Sequence, residues 1–338
     1  MFDTNASIRL KEFLASSGKI TDFQSLTADA SIREYFRISW NGRSAIACVY
    51  PEAFDPADQS YLDVTRLFTA AGLPVAEVLD FDGKSGVIVQ EDLGDRVLRD
   101  VMLESDEEPR SRLRDEAISL IARIQAATGK AFEMNSIASR LKFDREKLEW
   151  ELNFFKTHYF ETFLKKPLLP SDDASLSAEF GELAEELESF ASVLCHRDFH
   201  AANLMLDGLG RMRIIDHQDA RIGSPAYDLV SLLLDRITYL PSREWLAEKR
   251  RYFLNVRQTL GLGKLDEEEF AYEFRLQTIQ RCLKAAGTFS FQSVNRGKTY
   301  FVPFIKPMFG ISRRGAESLG RFPTIQEILG RETEDSDA

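Results

Sequence analysis

The apolar residues of this chain change period once. Between about residues 26 and 91 they come in short, often alternating runs, and from about residue 112 they recur at helical spacing. A period of two buries one face of a strand and a period of 3.6 buries one stripe of a helix, so the two stretches must build different layers. That predicts an α+β chain with its small antiparallel sheet first, and no internal repeat is visible. Residues 33–38 and 44–50 read as strands joined at Asn41-Gly42, a pair that tolerates positive φ at both turn positions. Tyr61, Val64, Leu67, Phe68 and Ala71 then share a helix face, which Gly72 ends and Pro74 prevents from resuming. Residues 76–81 and 87–90 read as two more strands. Further on, three apolar helix faces (Leu113 to Ile124, Leu148 to Tyr159, Leu176 to Phe190) serve core packing. The change of period places a hinge near residues 91–96. It divides the chain into an N-terminal lobe, 1–92, a helical lobe, 93–331, and an acidic tail, 332–338.

Charge narrows the partners. Lys and Arg number 43 against 54 Asp and Glu, a net charge of −11, which argues against a nucleic-acid or anionic-membrane binder. Part of that acidity lies in the tail, so the folded body is only mildly acidic. Cys48, Cys195 and Cys282 are far apart with no CxxC pair, and neither a disulfide nor a zinc knuckle is expected. No apolar run approaches the ~18 residues of a membrane span, and the polar start, with Asp3, Lys11 and Glu12, does not read as a leader. The expected compartment is the cytoplasm.

His196, Asp198 and Asn203 fit H-x-D-x-x-x-x-N, the catalytic-loop spacing of protein-kinase-like phosphotransferases. Residues 204–206, the turn Asp207-Gly-Leu-Gly210 and residues 212–215 then make a hairpin that returns Asp216 beside the loop. Phosphoryl transfer needs a carboxylate facing the acceptor hydroxyl and oxygen ligands for magnesium near the phosphates. Asp198 is the expected base. Asn203 and Asp216 are the expected Mg²⁺ ligands, because a hard cation prefers oxygen donors. His196 is expected to brace the loop backbone. His200 and His217 lie near it but do not follow a helical H-E-x-x-H pattern, so a transition-metal triad is not expected.

With these residues the chain resembles the aminoglycoside phosphotransferase and choline kinase superfamily. Tyr227-Asp-Leu-Val resembles that superfamily's helix after the metal site, in which an Asp, here Asp228, braces the catalytic loop. Within the superfamily the chain is more similar to the anomeric N-acetylmuramate and N-acetylglucosamine kinases of bacterial cell-wall recycling, through residues 29–37, 90–95, 215–220 and 280–289. The resemblance implies a bilobal protein-kinase-like fold, ATP and Mg²⁺ as cofactors, and a small-molecule sugar acceptor phosphorylated at a hydroxyl.

One departure concerns the phosphates. The strand position that carries a lysine in the general kinase pattern is Cys48, expected as a core thiol, and the following helix lacks a Glu to pair with such a lysine. There is no G-x-G-x-x-G loop either. Residues 28–31 offer backbone N–H groups and the Ser31 hydroxyl instead, and Arg33 or Arg37, on one strand face, offers the missing charge. By the same resemblance, the main chain of Glu91 and Leu93 belongs to a hinge that reads adenine. Acceptor contacts are expected among His200, Gln218, Asp219, Arg221, Arg281 and Lys284. The competing readings are a kinase for an aminoglycoside or another small metabolite, and a nucleotide-binding pseudokinase scaffold.

Overall fold

The computed structural model describes residues 5–26 and 33–334. Helix α1 (Asn5–Ser16) precedes strands β1 (Phe23–Leu26), β2 (Glu34–Trp40) and β3 (Arg43–Val49). Helix α2 (Ser60–Ala70) then leads to β4 (Val78–Asp82) and β5 (Val87–Glu91). The five strands form an antiparallel sheet in the order β1-β2-β3-β5-β4. Asn41 (φ 51°) and Gly42 (φ 77°) turn β2 into β3 and set Tyr35 opposite Cys48. The pleat sorts the side chains of the sheet. Phe36, Ile38, Trp40, Ala45, Ala47, Val49, Val87 and Val89 bury against Leu10, Phe13 and Leu14 of α1, while Ile88 faces the other way and packs on Tyr61 and Leu62 of α2. Neither α1 nor β1 was expected, because a short helix and a four-residue edge strand carry too few periodic positions to stand out. The strand expected from residue 76 starts at Val78, because Val75 bridges to Ile214 instead.

The remainder is mostly helical. Helices α3 (Leu98–Glu104), α4 (Glu107–Ala126), α5 (Thr128–Glu133), α6 (Ile137–Arg140), α7 (Arg145–Lys156) and α8 (Pro170–Ser189) come first, α7 running into a wider π-helical segment, Thr157–Phe163. Four short strands follow: β6 (Val193–Cys195), β7 (Leu204–Leu206), β8 (Met212–Ile214) and β9 (Arg221–Gly223). β6 pairs with β9, and β7 pairs with β8 as the expected hairpin. Then come α9 (Tyr227–Leu234), α10 (Arg243–Thr259), α11 (Glu267–Asn295), α12 (Ile305–Leu319) and α13 (Pro323–Glu334).

Helix α2 belongs to both parts by packing: Val64, Leu67 and Phe68 lie in the core of the helical part, together with Leu120, Phe155, Leu204 and Ile214. The Ile214 N–H donates to the Pro74 carbonyl (2.8 Å) and Leu206 N–H to Arg96 (2.9 Å), so the β7–β8 hairpin is stitched to both sides of the hinge. Glu332, placed by sequence in a solvated tail, lies on α13 and accepts a hydrogen bond from the Tyr159 hydroxyl (2.7 Å); a partner distant in sequence ordered it. Among the described residues no helix is long and apolar enough to cross a membrane.

Candidate active site

The loop after β6 is held open by one buried carboxylate. Asp228, in the first turn of α9, accepts the backbone N–H groups of His196 (2.6 Å) and Arg197 (3.0 Å). Those bonds fix Arg197 at φ 87°, a left-handed conformation that a non-glycine residue adopts only when its surroundings impose it. Burial pushes the Asp228 carboxyl above its usual range despite these donors. His196 is buried, and its Nε2–H donates to the Ile215 carbonyl (2.9 Å), tying the loop to the segment that ends in Asp216. The Ile215 N–H closes the same join by donating to the Asn203 carbonyl (3.1 Å).

Three oxygen-bearing side chains are thereby placed. Asn203 Nδ2 donates to the Asp198 carbonyl (2.9 Å), which leaves its Oδ1 as the acceptor end. Asp216 has φ 60°, and its Oδ1 accepts from Arg33 (3.0 Å) and from Gln218 Nε2 (3.0 Å). An amide oxygen and a carboxylate on stitched segments suit Mg²⁺ with water and phosphate completing its shell. Burial works to raise the Asp198 carboxyl, but Lys284, Arg197 and Arg281 override it and hold the group well below the usual carboxylate range. The Lys284 ammonium lies 3.4 Å from Asp198 Oδ1 and Arg281 Nη2 3.8 Å away.

On the sheet side, Arg33 lies just ahead of β2 rather than on it, and it diverges from Arg37 of that strand. Arg33 reaches across to Asp216 and lies near the rings of Tyr35 (5.9 Å) and Tyr50 (5.8 Å), so a guanidinium stands in the region from which the strand lysine is missing. Cys48 is buried and its thiol is pushed up to about 11 by burial, with Arg33 opposing, which makes it a core thiol. Arg37 is engaged at the hinge instead. It forks onto Asp92 (2.7 and 3.2 Å) and Asp95 (2.8 Å) of the hinge. Ser31 lies outside the described residues. The Glu91 N–H donates to the Glu77 carbonyl (2.8 Å) and its carboxylate takes both Nη atoms of Arg213 (3.0 and 2.6 Å), so that N–H is engaged and the hinge is anchored from behind. Leu93 is buried two residues on.

Of the residues expected to meet the acceptor, two are bonded to side chains of the protein itself. Gln218 bonds Asp216, and Arg281 is buried, donating to Ser231 Oγ (2.8 Å) and the Tyr227 hydroxyl (3.0 Å) with its Nη2 3.8 Å from Asp198. Asp219 binds Arg197 (2.9 Å), with Arg221 3.9 Å away. His200 sits on the loop with its Nδ1 buried and unpartnered. Sequence reasoning missed Lys147 and Glu151 of α7. Burial lowers the Lys147 ammonium, whose electrostatic neighbours are Glu151, Arg197, Arg221 and Lys284. Buried Glu151 accepts from Gln280 (2.8 Å), and its other oxygen is unpartnered. Nothing in the periodicity of α7 distinguishes these positions. His217, weighed in the sequence only against a metal triad, sits 2.7 Å from Thr65 Oγ1 and stacks on Tyr61 and Phe68, which locks α2 to the residue after Asp216. Burial pushes its imidazole down to about 3, so it is neutral there.

Residues 22–266 match the sequence profile of the phosphotransferase enzyme family. The chain is 31% identical over 334 residues, 96% of each chain, to a protein of Neisseria meningitidis serogroup B named N-acetylmuramate/N-acetylglucosamine kinase. It is 29% identical over 324 residues to one of the same name from Caulobacter vibrioides, covering 83% of this chain and 84% of that one. Among solved structures, choline kinase from Streptococcus pneumoniae superposes with a TM-score of 0.59 at 14% identity, covering 91% of this chain and 99% of that one; they share a fold.

Proposed function

Because the chain belongs to the phosphotransferase enzyme family, whose members move a phosphoryl group, we propose that it is an ATP-dependent sugar kinase acting on the anomeric hydroxyl of N-acetylmuramate and N-acetylglucosamine. The observation that carries this reading is the Asp198 carboxylate, set among Lys284, Arg281 and Arg197 on a loop stitched to Asp216. A carboxylate held down by neighbouring cations is a weakened base, which suits an acidic hydroxyl, and the anomeric hydroxyl is the most acidic on such a sugar because the ring oxygen withdraws charge. The basic groups Lys147, Arg197, Arg221 and Lys284 favour an acceptor that is neutral or bears a carboxylate, as N-acetylmuramate does, and oppose a polycationic aminoglycoside. Two relatives of that name, aligned over most of their length, support the same acceptor.

In this reading Asp198 orients the hydroxyl and accepts its proton. Asn203 Oδ1 and the Asp216 carboxylate hold Mg²⁺, which when bound neutralises charge on the phosphates. Arg33 supplies phosphate charge in place of the strand lysine, an arrangement that also opposes the scaffold alternative. Leu93 and the Glu91 carbonyl meet the base, while His196 and Asp228 brace the loop. A cytoplasmic location matches the use of ATP. The test is ADP release with each sugar, followed by phosphorus NMR. Splitting by H1 is expected. A 6-phosphate product, turnover of the C1-reduced alditol, or preference for a kanamycin-like polyamine would refute the assignment.

A further inference from the structure

Two side chains compete for Asp198 in the resting protein, and only one of them is able to leave. Arg281 is buried, lies over the Tyr227 ring at 4.7 Å and is fixed by Ser231 and the Tyr227 hydroxyl. Arg197 is likewise held by Asp219. Lys284, on α11, makes one ion pair among the described residues, to Asp198 at 3.4 Å. That separation is slack, since charge-assisted N–H···O contacts close to about 2.7–2.9 Å. A lysine stem also has rotamers that reach several positions from one anchor, which a stacked guanidinium lacks.

The reaction itself calls for such a cation. As the acceptor oxygen attacks, charge is spread over the three equatorial oxygens of the transferred group, beside the carboxylate that takes the proton. Asn203 and Asp216 sit on the nucleotide side, and no cation placed there screens that repulsion from the acceptor side. The geometry points to Lys284 as a second catalytic residue: an ammonium that rests on Asp198 and turns onto the phosphoryl oxygens in the transition state. The bond between the acceptor oxygen and the γ-phosphorus forms, and the bond from that phosphorus to the bridging oxygen breaks with its electron pair going to ADP. The hydroxyl proton passes to Asp198, and Lys284 remains protonated throughout. This rests on Asp198 being the base.

Lys284→Met and Lys284→Cys test it in the full-length protein with Mg·ATP and whichever sugar wild type turns over fastest. Both are expected to lose roughly 10²–10³-fold in kcat, the loss typical of removing one charge-stabilising donor, with KM for ATP within about threefold of wild type. The native thiols Cys48, Cys195 and Cys282 are buried, so 2-bromoethylamine will alkylate the introduced thiol and rebuild a lysine-like ammonium. Recovery of kcat is expected after that treatment and not after iodoacetamide, which adds neutral bulk. Equal rates after the two reagents, or a kcat for Lys284→Met within about threefold of wild type, would overturn the role. Asp198→Asn run alongside separates the claims. If it is inactive while Lys284→Met is fully active, Lys284 alone is wrongly assigned; if Asp198→Asn is itself fully active, the base assignment falls first.

Discussion

Residue by residue, the site is a set of charges whose values depend on neighbours from other segments. Asp198→Asn removes the proton acceptor while keeping the shape. It is expected to cut kcat by ~10²–10⁴-fold, about 3–5 kcal/mol of barrier, and to leave ADP affinity unchanged by isothermal titration; near-normal turnover would disprove the assignment. Arg33→Ala tests the replacement of the strand lysine. The guanidinium meets Asp216 at 3.0 Å, so its loss is expected to weaken ATP by tenfold or more, roughly one charge-assisted hydrogen bond, with adenosine little affected. Equal losses for both ligands would leave Arg33 a purely structural group. The spacing of Asp198, Asn203 and Asp216 was legible because a loop, a hairpin and a return segment are all local. Lys147 and Glu151 were not legible: on α7 they are ordinary polar positions of a helix until α11 is packed against it.

At the level of elements, the proposed acceptor side depends on how closely α7 and α11 approach. Gly287 is what permits it, since a Cβ there would stand 2.5 Å from the Phe155 Cα and 2.9 Å from its nitrogen. Gly287→Ala gains about 1 kcal/mol of helix propensity, but the clash is with backbone and no rotamer relieves it, so overpacking of about 1–3 kcal/mol or more outweighs the gain. A fall in Tm of a few degrees is expected. The shift of α7 carries Lys147 and Glu151 with it, so KM for the sugar should rise more than KM for ATP. Melting curves and two-substrate kinetics check both, and a variant as stable as wild type would contradict the close approach. The apolar faces of α4, α7 and α8 were readable from period alone. The tight crossing was not, because a glycine inside a helical pattern carries no record of what lies against it.

For the whole molecule, a buried acid links stability to pH. Glu273 of α11 accepts from Ser224 and from the Ala226 N–H (2.9 Å), just ahead of α9 and its loop-bracing Asp228; Arg257 also faces it. Burial pushes its carboxyl up from 4.5 to about 7. The folded protein therefore holds this proton more tightly than the unfolded chain does. The contribution is complete below about pH 4.5 and declines as pH rises towards about 7. Glu273→Gln keeps an acceptor without the titration, so its Tm relative to wild type is expected to climb between pH 5 and about 7.5; parallel curves would show that Glu273 is not the group responsible. The sequence by itself determined the division into a sheet-rich and a helical part, the loop with its three oxygen-bearing residues, and the absence of the strand lysine at Cys48, since each depends on neighbours close in the chain. Only the tertiary structure decided where the long charged side chains end: Arg33 on Asp216, Arg37 on the hinge aspartates, Lys284 on Asp198 across 86 residues. Hydrophobic period specifies which face of an element is buried. The partner of a flexible cation is set by whichever carboxylate another element brings within a few ångströms, and that is known only once the elements are packed.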